Sequence, residues 1–139
     1  MLLYKVPPRP TAGRVGVWRK LKRLGALLLH DSVWVLPASP RTLEQFQWLV
    51  AEISECGGDA MLWEGSLCLD GQEDTLVDQF VAQVNRIYEE IEQALGAAEP
   101  DLSALSRRYQ QARQQDFFHS ERGQRVRDAL LKAEGGSEP

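Results

Sequence analysis

Leu27-Leu-Leu-His30, Asp31-Ser32 and Val33-Trp-Val-Leu36, closed by Pro37, form the stretch whose reading decides the fold. Two short runs of strand-forming residues flank a polar pair, and Pro37 stops the second run because proline cannot donate to a sheet ladder. The stretch therefore predicts a β-hairpin, with Asp31 as a turn former. Working outward towards the N-terminus, Val15, Trp18, Leu21 and Leu24 recur every three residues, while Arg19, Lys22 and Arg23 share another sector. This predicts an amphipathic helix after Thr11 that Gly25 ends. Residues 1–6 read as a strand, stopped by Pro7-Pro-Arg-Pro10.

Towards the C-terminus, Ser39 is a candidate N-cap, Pro40 fits the first helical position and Glu44 falls in the first turns. Leu43, Phe46, Leu49, Val50 and Ile53 keep helical spacing up to Gly57-Gly58. Ala60 to Leu69 reads as a strand with Met61, Trp63, Leu67 and Leu69 on one face and Glu64 and Ser66 on the other. The order strand, helix, strand, strand, helix, strand predicts an α+β domain of ferredoxin-like βαββαβ topology over residues 1–70.

From 71 to 134 the pattern is that of a helical extension. A first helix, from about 74 to 95, repeats Leu76, Phe80, Val84, Ile87, Ile91 and Leu95 at spacings of three or four until Gly96 and Pro100 break it. Asp101 can cap a second helix with Leu102, Leu105, Tyr109 and Ala112 on one stripe. A third, from about Glu121, carries Val126 and Leu130. Residues 135–139 are expected to be disordered. The Leu76–Leu95 stripe is longer than its shorter neighbours need, which predicts a homodimer.

The 139 residues suffice for one ordinary core with an appendage, and no apolar run approaches the ~20 residues of a membrane span. The N-terminus has no basic start, long apolar stretch and small-residue cleavage site of a secretory signal. Cys56 and Cys68 are too few for a disulfide framework and do not pair into a zinc motif. A cytoplasmic protein without cofactor, metal or membrane partner is expected.

Charge is segregated. Residues 1–41 hold eight basic residues against Asp31, residues 42–101 hold fourteen acids against Arg86, and the remainder holds seven basic residues against five acids. A net charge of −4 thus conceals a basic N-terminal segment able to produce a local positive field.

Arg14-Val-Gly-Val-Trp-Arg-Lys-Leu-Lys-Arg-Leu-Gly-Ala26 followed by Asp31-Ser-Val-Trp-Val-Leu-Pro37 resembles the opening signature of the ChrB N-terminal domain. Glu44-Gln-Phe-Gln-Trp-Leu49, Gly57-Gly58 with Ala60-Met-Leu-Trp-Glu64, Leu105-Ser-Arg-Arg-Tyr109 and Gly123-Gln-Arg-Val-Arg127 continue the resemblance in order. It implies a transcriptional regulator of chromate-resistance operons. Such regulators usually carry a second, C-terminal chromate-resistance domain, which is not expected within these 139 residues. The chain also distantly resembles the ferredoxin-like region of the phenylacetate repressor PaaX and a small CRISPR spacer-acquisition nuclease of the same topology.

The resulting expectation is a DNA-binding regulator with chromate as a possible effector. Arg14, Arg19, Lys20, Lys22 and Arg23 are the candidate phosphate contacts, against the alternative of a solvated helix face. Arg107, Arg108, Arg122 and Arg125, with Arg113 and Arg127 nearby, form a possible second basic site interleaved with Tyr109, Phe117, Phe118 and His119. For Phe117 and Phe118, and for Trp18, Trp34, Trp48 and Trp63, packing is the simpler reading. A metal-dependent nuclease would need a carboxylate where Pro7-Pro8 stands, so no enzyme activity is expected. Asp31, His30 and His119 have no identifiable catalytic partners. Cys56 fits a small buried thiol, and a redox role for either cysteine has no pKa argument behind it. The remaining alternative is a protein-interaction module that does not bind DNA.

Overall fold

The computed structural model describes residues 2–5, 11–30 and 33–135, with side chains from Gly16 onward apart from His30. The chain divides into two compact units, Met1–Gln72 and Glu73–Pro139. The first contains β1 (Leu2–Lys5), α1 (Thr11–Leu24), β2 (Leu27–His30), β3 (Val33–Val35), α2 (Pro40–Glu55) and β4 (Asp59–Leu62). Its four strands lie in the order β2-β3-β1-β4, every neighbouring pair antiparallel. This is an α+β unit. The β2–β3 hairpin predicted from the sequence is present, with a register shift between Leu28 and His30, while Asp31-Ser32 lies outside the described residues.

Local chemistry sets the helix ends. Ser39 Oγ accepts from the Thr42 amide at 3.1 Å, and Thr42 Oγ1 accepts from the Ser39 amide at 3.0 Å. This reciprocal cap satisfies two backbone donors that a helix start otherwise leaves open. Thr42, buried in the cap, also donates to the Pro37 carbonyl at 2.6 Å, tying α2 to the end of the hairpin. At the other end Gly57 takes a φ of 82°, and the Gly58 amide reaches the Ile53 carbonyl at 2.9 Å. α1 stops in the same way at Gly25.

The core of the sheet unit consists of Val17, Leu21, Ala26, Trp34, Leu36, Phe46, Leu49 and Ile53. Trp34 is 1% exposed, and its indole Nε1 has no hydrogen-bond partner among the described residues. Three expectations change here. α1 buries Val17 and Leu21, four residues apart, so Trp18 lies one residue off the core line and is 49% exposed. Leu43 is likewise exposed on α2. Of the four tryptophans only Trp34 is core, since Trp48 is 73% and Trp63 53% exposed.

The predicted strand Ala60–Leu69 is shorter, ending at Leu62. The described residues of β1, Leu2 to Lys5, pair with Leu62 back to Asp59, which is the whole length of β4.

The second unit holds α3 (Gln72–Leu95, whose first residue falls at the boundary), α4 (Leu102–Gln115) and α5 (Glu121–Glu134). Asp101 caps α4 as predicted, its side chain accepting from the Ala104 amide at 3.1 Å. The core comprises Val84, Tyr88, Ile91, Leu105, Tyr109, Ala112, Val126 and Leu130, with Ile87, Ala94 and Leu95 packed against it. On the stripe of α3, Phe80, Val84 and Ile91 are buried within this unit, while Leu76, Ile87 and Leu95 are half-buried. Phe117 and Phe118 pack on Phe80, with ring centroids 5.8 and 5.9 Å away. In the expected disordered tail, residues 136–139 lie outside the described residues.

Gly123 of α5 packs closely against α3. A Cβ there would stand 2.8 Å from two ring carbons of Tyr88 and 2.9 Å from Asp116 Oδ2. Tyr88 is 1% exposed and cannot swing aside. Gly123→Ala is expected to destabilise the protein by about 1–3 kcal/mol, the usual cost of overpacking, measured as a lower midpoint in urea at unchanged m-value.

Candidate functional site

The predicted basic helix is α1, and its basic residues point outward. Arg19, Lys20, Lys22 and Arg23 are all exposed, whereas for Arg14 only the helical backbone is described. α1 has no acid in its first turn and carries Lys22 and Arg23 in its last, where a helix dipole favours cations. Lys20 forms an ion pair with Glu52 of α2, so its charge is partly matched within the fold. Lys22 Nζ lies 5.7 Å from the ring centroid of Trp18, a cation–π contact that leaves nearly half of the indole open. The solvent side of α1 is therefore a cationic surface with an accessible aromatic ring.

The second basic set is not one patch. Acidic residues of α3 engage two of its members: Arg108 pairs with Glu90, and Arg122 lies 3.7 Å from Glu89 and 3.6 Å from Glu92. Arg107 and Arg125 are exposed. Arg113 and Arg127, also exposed, line a common cavity of about 310 Å³, together with His119, Tyr109 and the pair Tyr88–Asp116. Tyr88 donates its hydroxyl to Asp116 Oδ2 at 2.9 Å, and the Ser120 amide donates to Asp116 Oδ1 at 2.9 Å. Burial, reinforced by the Asp116 carboxylate, holds the Tyr88 hydroxyl protonated well above the ordinary tyrosine range.

Other candidates separate. Pro7-Pro8 and Asp31, the positions weighed for a nuclease metal site, lie outside the described residues, as does the side chain of His30. Among the described residues no three His, Cys, Asp or Glu side chains gather as a metal site would require. Cys56 is half-buried and Cys68 exposed, both as free thiols. No helix among the described residues is long and apolar enough to cross a membrane.

A model of the family described as Protein ChrB, N-terminal, matches residues 14–96, from the basic helix through the end of α3. The chain belongs to the ChrB N-terminal family. This relates it to the chromate-resistance regulators, the relationship expected from its motifs. No curated protein and no solved structure matches it.

Helical spacing already places Tyr88 four residues after Val84 and three before Ile91, on the stripe of α3, although the sequence reading passes over it. Its partner Asp116 carries no comparable signal, because it belongs to a turn whose position depends on how α4 and α5 pack.

The folded protein holds the Tyr88 proton more tightly than the unfolded chain does, so this contribution to stability is complete below the ordinary tyrosine pKa of about 10 and is lost as pH rises beyond it. Tyr88→Phe should lower stability by about 1 kcal/mol near neutrality, from loss of the hydrogen bond. It should also flatten the alkaline limb of the stability–pH curve. Denaturant melts between neutral and strongly alkaline pH check both, and an alkaline limb unchanged in Tyr88→Phe would refute the assignment.

Proposed function

We propose that this chain is the DNA-binding regulatory module of a chromate-linked transcriptional regulator, a non-enzymatic cytoplasmic protein that works as a homodimer with chromate as its possible effector. The observation that carries the reading is the solvent face of α1, where Arg19, Lys22 and Arg23 are exposed and Lys22 lies over the exposed Trp18, in a segment almost free of acids. Such a face can neutralise phosphates and release their counterions, giving binding that falls steeply with salt.

We read the sheet unit as a ferredoxin-like domain. The strand order β2-β3-β1-β4, the all-antiparallel pairing and the βαββαβ order support this. In this reading the two-fold contact does not use α3, whose stripe buries Phe80, Val84 and Ile91 within its own unit. It uses the sheet face opposite Trp34 and Leu62, where Met61 is 54% exposed and Val33 and Val35 are half-buried. The alternation along β3 and β4 directs these side chains away from the core.

A second reading, an interaction module for a protein partner, is favoured by Trp48, Trp63, Leu67 and Leu69, which are all exposed. A gel-shift assay on the operator region separates the two, since only a DNA-binding protein retards the fragment. Arg19→Glu/Lys22→Glu/Arg23→Glu should abolish the shift and flatten the salt dependence of binding, with a circular dichroism spectrum like that of wild type. Unchanged affinity in the folded triple variant would refute the α1 assignment. In light scattering, wild type should weigh as a dimer and Met61→Lys as a monomer. A wild-type monomer at high micromolar concentration would rule out the dimer.

A further inference from the structure

The arginines of α4 and α5 are sorted by the fold into different environments. Arg108 and Arg122 face the carboxylates of α3. Arg113 lies near the end of α4, eight residues before α5 begins at Glu121, and Arg127 six residues after that start, yet both line the same cavity. Neither makes an ion pair among the described residues. Two guanidinium groups on one small concavity repel each other, an arrangement that an anion between them would relieve.

Two acids also line the cavity, and they differ in availability. Asp116 has one oxygen engaged by the Tyr88 hydroxyl and the other by the Ser120 amide, so its charge is bound into the cavity wall. Glu121 is exposed at the start of α5. Gln124 has its amide directed to Asp128 at 3.3 Å. At the mouth, His119 adopts a φ of 52°, the left-handed region that L-residues seldom occupy and that recurs at ligand clamps. The surrounding turn holds this conformation through Asp116, whose backbone carbonyl accepts from the His119 amide at 3.5 Å. A volume of about 310 Å³ lies at the lower limit for small-molecule pockets and is several times what one water occupies.

We propose that this cavity is a binding site for a small oxyanion of the phosphate or sulfate type, held by Arg113 and Arg127 with His119 at its mouth. Guanidinium forks match the paired oxygens of such ions. The Tyr88–Asp116 bond and the missing side chain of Gly123 position the wall against which the anion rests. The proposal does not depend on DNA binding at α1.

The test uses the full chain, labelled with nitrogen-15 and titrated with sodium sulfate and with sodium phosphate at constant ionic strength, sodium chloride serving as the control. Saturable shifts are expected at the amides of His119, Ser120, Gly123 and Gln124 with sulfate or phosphate and not with chloride. Arg113→Gln/Arg127→Gln should weaken binding about tenfold or more while its thermal melt stays close to that of wild type. Arg107→Gln/Arg125→Gln, at exposed positions outside the cavity, should leave it unchanged. Shifts that fail to saturate in the millimolar range, or that persist in Arg113→Gln/Arg127→Gln, would overturn the proposal. The same holds if a short oligonucleotide alone produces them, because the cavity would then be reading a nucleic-acid backbone. If the double variant melts early, Arg113→Lys and Arg127→Lys keep the charge but lose the fork. Weaker binding by either lysine variant supports the site, and undiminished binding by both refutes the fork geometry.

Discussion

The hydrogen bond from Tyr88 to Asp116 ties the middle of α3 to the turn between α4 and α5, and the rest of the helical unit is arranged around it. A tyrosine hydroxyl deep in a helical core needs a partner, because a buried donor without one costs about 1–3 kcal/mol. Asp116 supplies that partner only if the chain leaves α4 at the right point. The Ser120 amide then satisfies the second carboxylate oxygen, and Ser120 Oγ is held by Asn85 of α3. With α5 fixed at its start, Gly123 packs closely against the ring of Tyr88, leaving no room for a Cβ unless a neighbour shifts. Val126 and Leu130 follow one and two turns later into the same core.

The sheet unit depends on apolar burial with little polar cross-linking. Trp34 fills its centre, and its indole N–H has no partner among the described residues, so its contribution there is that of a large apolar volume. The polar work is done at the edges, where the cap at Ser39 and Thr42 sets the entry of α2 and the Lys20–Glu52 ion pair joins α1 to α2. An exposed pair of this kind contributes little to stability, about 0–1 kcal/mol. Its larger effect is on the field, because it removes one of the cations of α1 from the surface available to a polyanion.

Charge neutralisation within the fold therefore separates candidate functional residues from structural ones. Of the basic residues on α1, Arg19, Lys20, Lys22 and Arg23 are all exposed, and Lys20 is in addition matched by Glu52. On the helical unit, the acids that make residues 42–101 so negative are partly explained by Glu89, Glu90 and Glu92, which face Arg122 and Arg108. Similar counts of basic residues in the two segments thus conceal different surroundings: a cationic helix face in one, and in the other two arginines paired with acids of α3 and two that line one cavity.

The sequence by itself determined the order of the elements, the hairpin at Leu27–Leu36, the glycine stops at Gly25 and Gly57, the caps at Ser39 and Asp101, and the family. These are local properties, decided by residues within one or two turns of each other, and the motifs that mark the family are contiguous. Only tertiary structure decided which side of α1 is buried, since Val17 and Trp18 lie on adjacent sectors and both can serve an apolar stripe. It also decided that the last strand stops at Leu62, where its described pairing with β1 ends. Nor does any local pattern tell Arg113 and Arg127 apart from Arg108 and Arg122. Their difference is set by which side chains of other helices come within reach, and that follows from packing.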